Sequence, residues 1–73
     1  MPVPLSYTEI AQDITDRIER GEYPPGSKLP SYSALAELYS INRSTAFRVY
    51  ALLRDRGTVI SAAGRGMYVP DAE

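Results

Sequence analysis

Apolar positions near the start of the chain repeat at intervals of three and four residues, with charged residues between them. This is the period of an α-helix that packs one face against a core. Ser6 and Glu9 have the spacing of a capping box, and Gly21 stands where a glycine commonly ends a helix. The pattern predicts a first helix over about residues 7–20. Its apolar face comprises Tyr7, Ile10, Ala11, Ile14 and Ile18.

A turn over residues 24–26, with two prolines and a glycine, separates this helix from a second helical pattern. Ser31 is a good N-cap residue, so we expect the second helix over residues 31–39. Between the turn and this helix, Lys28 and Leu29 form a short extended segment that could pair with a later hairpin. The buried side of the second helix is predicted to comprise Ala34, Leu35 and Leu38.

A third helix is predicted over residues 43–56, directly after a short turn. Ile41 is expected to be a buried wedge in that turn, and Asn42 is a good N-cap for the helix that follows. Gly57 stands where the helix is expected to end. The apolar positions of the third helix have helical spacing and are expected to face the core: Ala46, Val49, Tyr50 and Leu53.

A β-hairpin is predicted after the third helix, because residues 58–62 are rich in β-branched side chains and a glycine-rich turn follows them. The returning strand is predicted over residues 66–69. Three helices followed by a hairpin give an α+β fold that is mainly helical, the winged helix-turn-helix. Such a fold presents one helix to the major groove of DNA. We expect one such domain over residues 1–73, with a core over about residues 6–69.

Two residue types that commonly serve in catalysis and metal binding are missing, since the chain of 73 residues has no histidine and no cysteine. Lys28 is its only lysine. We therefore expect no enzymatic activity, no cofactor and no metal site. No apolar run approaches the roughly 18 residues that span a bilayer, and the N-terminus lacks the features of a secretory signal. We expect a cytoplasmic protein without membrane contact.

Charge is distributed unevenly along the chain, although the formal net charge is only −1. Residues 1–37 carry six acidic and three basic side chains, whereas residues 41–70 carry five arginines and one acid. Phosphate binding depends on the local density of cations rather than on the total charge. The second half of the chain is therefore where DNA could bind. Its arginines are Arg43, Arg48, Arg54, Arg56 and Arg65.

The polar face of the third helix carries residue types that bind phosphate oxygens or read guanine. At about 100° per residue, this face lies opposite the predicted core face. Thr45 completes its first turn, where free backbone N–H groups would add a phosphate site. The alternative is an ordinary solvated helix face. The side chains on or beside the polar face are Arg43, Ser44, Phe47, Arg48 and Ala51.

Three aromatic residues and the hairpin tip leave alternatives open. Phe47 could pack on thymine methyl groups or sugars, or it could be partly buried against the second helix or the wing. Tyr32 could donate a hydrogen bond to a phosphate, whereas Tyr39 is expected to pack. Arg65, next to Gly64, could reach a phosphate or enter a narrow minor groove. It could equally be a solubilising charge on an ordinary turn.

Three segments resemble the N-terminal winged helix-turn-helix DNA-binding domain of GntR-family bacterial transcription regulators, over about residues 6–69. They are the turn Pro25–Ser31, the helix-turn-helix Leu35–Thr45 and the wing Gly64–Val69. The resemblance implies that the third helix enters the major groove and that the wing tip reaches the minor groove. It also implies a homodimer bound to an inverted-repeat operator of double-stranded DNA.

The family's motif has residues that contact bases or phosphates at five positions of this chain: Arg43, Ser44, Thr45, Gly64 and Arg65. The full predicted set of DNA-binding residues is Ser31, Tyr32, Asn42, Arg43, Ser44, Thr45, Phe47, Arg48, Gly64 and Arg65. Ser33 and Phe47 depart from the family, which usually has arginines at both positions; here the second cation is displaced to Arg48. Family members normally carry a C-terminal effector and dimerisation domain. The chain is therefore expected to be a domain cut from a longer regulator, or a compact regulator.

Two functional hypotheses follow. The first is a sequence-specific transcription regulator that binds double-stranded DNA in association with the nucleoid. It is expected to be a repressor, because blocking a promoter needs no activation surface. The second is a winged-helix protein-interaction module with weak or no DNA binding. The acidic first helix and the two missing arginines are the reasons for keeping it.

Overall fold

A computed structural model describes residues 6–62 and 66–71, which form three helices and a hairpin. The helices are α1 (Tyr7–Glu19), α2 (Tyr32–Tyr39) and α3 (Arg43–Asp55), and the strands are β1 (Ile60–Ala62) and β2 (Gly66–Tyr68). This arrangement confirms the predicted winged helix-turn-helix. Within the described residues, each helix is too short or too polar to cross a membrane.

Each helix begins where a capping side chain was predicted. The Ser6 hydroxyl oxygen accepts the Glu9 N–H, and the Glu9 carboxylate accepts the Ser6 N–H, which completes the capping box. Ser31 caps α2 and Asn42 caps α3, each by accepting the N–H of the residue three positions on. The helix bounds agree with the predicted ones to within one residue. Side-chain capping thus sets where the helices start.

The core forms where α1 and α2 pack against α3. From α1, Ile10, Ala11 and Ile14 are buried, whereas Tyr7 and Ile18 at the ends of the stripe are partly exposed. The loop residue Leu29 and the wing add further buried side chains. All four predicted core residues of α3 are buried: Ala46, Val49, Tyr50 and Leu53.

The buried side of α2 differs from the predicted one. Leu35 is buried as predicted, but Leu38 is 64% exposed and Ala36 is buried instead. The packed face is centred between Leu35 and Ala36, and Tyr39 on the same side also contacts the core. At about 100° per residue, Leu38 points about 110° away from that centre. Ala34, beyond Leu38 on the same edge, is only partly buried.

The turn between α2 and α3 is short and partly strained. Ser40 has a φ of 54°, a left-handed conformation that is uncommon for a residue with a side chain. The N–H of Ile41 donates to the carbonyl oxygen of Ala36 at 2.9 Å. Ile41 is partly buried against the core, so the predicted wedge is present but not fully enclosed.

The wing is an antiparallel hairpin in which Ser61 of β1 lies opposite Met67 of β2. Its first strand starts two residues later than predicted. The N–H groups of Thr58 and Val59 donate to the carbonyl oxygen of Leu53, at 2.9 and 3.4 Å. These two residues therefore close the end of α3 instead of extending the sheet, and β2 ends one residue earlier than predicted.

The extended segment before α2 pairs with the hairpin, as predicted. Lys28 forms an isolated antiparallel bridge with Tyr68. Leu29 and Val69 each donate their N–H across to the opposite segment, at 2.8 and 2.9 Å. These bonds hold the wing beside the start of α2, and thereby fix its position relative to α3.

Candidate nucleic-acid interface

Helix α3 has a buried face and an exposed face of different chemistry. Opposite the core, its exposed surface is polar, cationic and aromatic. We use the name outer face of α3 for the four exposed side chains of its first two turns: Arg43, Ser44, Phe47 and Arg48. Ala51, predicted near the centre of this surface, is partly buried. Since the core occupies the other side, the outer face is a part of α3 that a partner can contact.

The first turn of α3 is organised by Asn42. Its Oδ1 accepts hydrogen bonds from the Thr45 N–H at 2.9 Å, the Thr45 hydroxyl at 3.0 Å and the Ser44 hydroxyl at 2.7 Å. Both hydroxyl protons are used within the turn, so Ser44 and Thr45 offer acceptor oxygens unless a ligand displaces these bonds. Arg43 is exposed at the first helical position and is therefore the cationic donor of this turn.

The ion pairs of the structure lie elsewhere. Asp13 and Arg17 are 3.0 Å apart, and Glu22 lies 3.5 Å from Arg17 and 3.4 Å from Arg20. Across residues 6–62 and 66–71, the ion pairs include no arginine of α3. A solvated guanidinium group without an internal partner can bind a phosphate or a guanine edge without breaking an existing ion pair.

Phe47 is supported from behind by two tyrosines. Its ring centroid lies 5.5 Å from that of Tyr32, and Tyr32 lies 5.6 Å from Tyr50 in an edge-to-face arrangement. Tyr50 is fully buried, and its hydroxyl donates to the carbonyl oxygen of Pro30 at 2.6 Å. Phe47 nevertheless remains 54% exposed. Packing against α2 is thus confirmed, and a contact of the free ring with DNA stays a prediction.

Tyr39 packs, as predicted, and it makes a contact that the sequence did not reveal. Its hydroxyl donates to Asp13 Oδ2 at 2.5 Å, across 26 positions of the chain. This bond, assisted by Arg17, lowers the pKa of Asp13 despite partial burial. Burial, followed by the bond to Asp13, raises the pKa of Tyr39. Asp13 is one of the charged residues between the apolar positions of α1, and through this bond it ties α1 to α2.

Arg48 faces the α1 side of the outer face. Together with four other residues it lines an open cavity of about 400 Å³. Phe47 lies about 100° away around the helix, on the side of α2. The two side chains therefore flank the exposed surface of α3. The other lining residues are Tyr7, Ala51, Leu52 and Asp55.

The remaining predicted site residues divide into two groups. Ser31 is exposed at the start of α2, where its hydroxyl oxygen accepts the Ala34 N–H at 3.1 Å. Tyr32 follows it and joins this end of α2 to the outer face of α3 through Phe47. The two predicted wing-tip residues, Gly64 and Arg65, lie outside the described residues. The contact between Tyr32 and Phe47 thus joins the predicted residues of α2 to those of α3.

The fold and this surface define a winged helix-turn-helix domain whose third helix presents a cationic and aromatic face. The chain belongs to the gntR family of bacterial regulatory proteins, whose sequence profile matches residues 6–69. The resemblance predicted from the three motifs is confirmed.

Relatives and solved structures agree on this family. The chain is 35% identical over 63 residues to the HTH-type transcriptional regulator YurK of Bacillus subtilis, covering 86% of this chain and 26% of YurK. It is 32% identical over 65 residues to the HTH-type transcriptional repressor YtrA of the same organism, covering 89% of this chain and 50% of YtrA. A GntR family transcriptional regulator from Listeria monocytogenes matches with a TM-score of 0.86 and 32% identity, covering 90% of this chain and 58% of that one. The chain therefore spans between about a quarter and a half of these two curated relatives.

Proposed function

We propose that this chain is the sequence-specific DNA-binding domain of a transcription regulator, acting as a repressor. Helix α3 lies in the major groove of double-stranded DNA, and the wing lies at the adjacent minor groove. One observation carries the proposal: α3 presents exposed arginines that have no ion pair within the described residues, on a fold built to expose this helix.

Each group of residues has a distinct role in this proposal. Arg43 and Arg48 bind phosphate oxygens or guanine O6 and N7. Asn42 holds the first turn of α3 rigid through its three hydrogen bonds. Tyr32 donates to a phosphate at the start of α2. The other proposed contacts are Ser31, Ser44, Thr45, Phe47, Gly64 and Arg65.

The operator is proposed to be an inverted repeat bound by a homodimer, because two-fold symmetric proteins of this class bind symmetric half-sites. Repression is supported by the relative YtrA, which is a transcriptional repressor by name. A regulator of this kind would act in the cytoplasm, at the nucleoid.

Selection from a random pool of duplex DNA tests the proposal directly. The purified chain should enrich one sequence, and paired half-sites in the enriched pool would support the homodimer. Affinity for that sequence, measured by fluorescence anisotropy, should fall at least about tenfold between roughly 50 and 200 mM salt, because phosphate contacts release counterions. Enrichment of no sequence, or affinity that does not change with salt, would contradict the proposal.

Arginine substitutions localise the contact. Arg48→Ala should weaken binding by about 5–150-fold and relax specificity if Arg48 reads a base. Arg43→Ala should weaken binding more evenly across sequences if it binds a phosphate. Arg20→Ala is the matched control, since Arg20 is an exposed arginine on α1 that pairs with Glu22. Equal effects of all three variants, or capture of a protein partner with no response to DNA, would favour the protein-interaction module.

A further inference from the structure

The half-exposed ring of Phe47 has surroundings that differ from those of other exposed apolar side chains. It projects from the cationic outer face of α3, between Ser44 one turn before it and Ala51 one turn after it. Leu38 of α2 is also exposed, but it is not among the proposed DNA contacts. The Phe47 ring stays 54% exposed on the surface proposed to enter the major groove, where it can pack on an apolar group of the DNA.

The ring is also held in place before any ligand binds. Tyr32 packs against Phe47 with an angle of 32° between the ring planes, and it contacts Tyr50 with its edge. Tyr50 is fully buried and bonded to the carbonyl oxygen of Pro30. This row of three rings runs from the core to the surface. It limits the rotamers that Phe47 can adopt, so the free side of the ring has a defined position.

The major groove offers one prominent apolar group for such a ring. Thymine carries a methyl group at C5, whereas guanine, adenine and cytosine present hydrogen-bonding atoms there. We propose that Phe47 selects a thymine in each half-site by packing on its C5 methyl group, and that Tyr32 is the positioning residue for that ring. This inference rests on the proposed DNA-binding function and specifies one base that the outer face of α3 reads.

Substitution of deoxyuridine for thymidine tests the contact without changing the protein. Deoxyuridine lacks only the C5 methyl group and keeps every hydrogen-bonding atom. In the sequence obtained by selection, each thymine is replaced in turn, on both strands. At one thymine per half-site, the replacement should weaken binding about fourfold, which is the value of one buried methyl group. A 5-methylcytosine placed at that position should bind more tightly than cytosine, because it restores the methyl group.

Variants assign the methyl contact to the ring. Phe47→Ala should lose most of the difference between thymine and uracil at that position, while uracil at other positions behaves as in the wild type. Tyr32→Phe should retain the difference, since the supporting ring remains, and Tyr32→Ala should reduce it. Ser33→Ala, an exposed neighbour on α2, is the matched control and should leave it unchanged.

The outcomes separate the inference from the function on which it rests. Tight binding with no sensitivity to uracil at any position would overturn the inference and leave the proposed function standing. The inference would also be overturned, with the function intact, if Phe47→Ala remained fully sensitive to the replacement of thymine by uracil. An equal loss of affinity for all DNA sequences in Phe47→Ala would overturn it too, because it would indicate a contact with a sugar. Failure to bind any DNA would overturn both.

Discussion

Helices α1 and α3 differ in whether their arginines form ion pairs. On α1, Asp13 pairs with Arg17, and Glu22 beyond the helix end pairs with Arg17 and Arg20. On α3, the arginines are exposed, and within residues 6–62 and 66–71 they have no ion pair. A chain with a net charge of −1 can therefore still present a cationic surface. What matters for a polyanionic partner is which cations remain unneutralised.

Position along each helix strengthens this contrast. Arg17 and Arg20 lie at the C-terminal end of α1, where the helix dipole favours cations. Arg43 is at the first position of α3, where the dipole disfavours them, and the first turn of α3 contains no acidic residue. The helix dipole therefore does not favour an arginine at position 43, and no acidic residue of the first turn compensates for its charge. A bound phosphate would supply the missing negative charge.

Charge reversal at matched positions gives the largest expected effect. Arg43→Glu should reduce DNA affinity by about 100-fold or more, because it replaces a contact with a repulsion. The same change should raise the free energy of unfolding by about 0.3–1 kcal/mol, since an acidic residue suits the start of a helix. Anisotropy titrations and urea unfolding of the same samples measure the two effects.

Arg20→Glu is the control for Arg43→Glu, because it reverses the charge of an exposed arginine that already pairs with Glu22. Its affinity for DNA should change by less than about threefold, and its stability should fall by about 0.3–1 kcal/mol. If Arg43→Glu lost stability without losing DNA affinity, Arg43 would serve folding and not DNA binding, which would contradict the contrast between α1 and α3.

High pH should weaken the fold through two tyrosines, Tyr50, which is buried on α3, and Tyr39, which is partly buried at the end of α2. Burial raises the pKa of Tyr50 above its ordinary value of 10.0, and that of Tyr39 also rises. The folded state therefore holds these protons longer than the unfolded state does. Stability should be complete below pH 10 and decline above it, with a slope from Tyr50 of up to about 1.4 kcal/mol per pH unit.

Urea unfolding between about pH 8 and 11 checks this slope. Tyr50→Phe should lower stability by about 1 kcal/mol at pH 8, because the Pro30 carbonyl loses its partner. Above pH 10 the variant should decline less steeply than the wild type. An identical slope in both proteins would show that Tyr50 does not titrate on unfolding.

The bond between Tyr39 and Asp13 should matter for stability and not for DNA binding. Tyr39→Phe should lower the free energy of unfolding by about 1 kcal/mol at neutral pH. Because this bond is the main cause of the lowered pKa of Asp13, stability should be lost as the pH falls below 3.8, and the variant should lose less. Tyr7→Phe, at a partly exposed tyrosine of the same helix as Asp13, should change stability by less than about 0.5 kcal/mol. A loss of DNA affinity in Tyr39→Phe would show that the two regions are not separate.

The Tyr39 contact also marks the limit of what the sequence predicts. Helix starts and the buried stripe of α3 depend on residues within a few positions of one another, and these were predicted correctly. The bond between Tyr39 and Asp13 joins residues 26 positions apart and depends on how α2 sits against α1. The same dependence explains Leu38, which is more apolar than Ala36 but points away from the packed face.

The candidate site shows the same difference between features set by residues close in the sequence and contacts that depend on how the helices pack. The exposed arginines of α3 follow from helical spacing alone, but the support of Phe47 by Tyr32 depends on the crossing of two helices. For Phe47, the residue pattern therefore left two interpretations, and the structure shows a ring that is packed on one side and free on the other. DNA contact by any of these residues, and by Gly64 and Arg65, stays a prediction.

The smallest expected effect concerns Glu22, which lies 3.5 Å from Arg17 and 3.4 Å from Arg20. All three side chains are 40–61% exposed, so water competes for each pair. Glu22→Gln should change the free energy of unfolding by less than about 0.5 kcal/mol, and high salt should remove even that difference. Glu37→Gln, at an exposed glutamate of α2, is the matched control. A loss above about 1 kcal/mol would show that the α1 side depends on its ion pairs for folding. With a small effect, the difference between these arginines and those of α3, within the described residues, is the carboxylate that lies beside them and not a gain in folding stability.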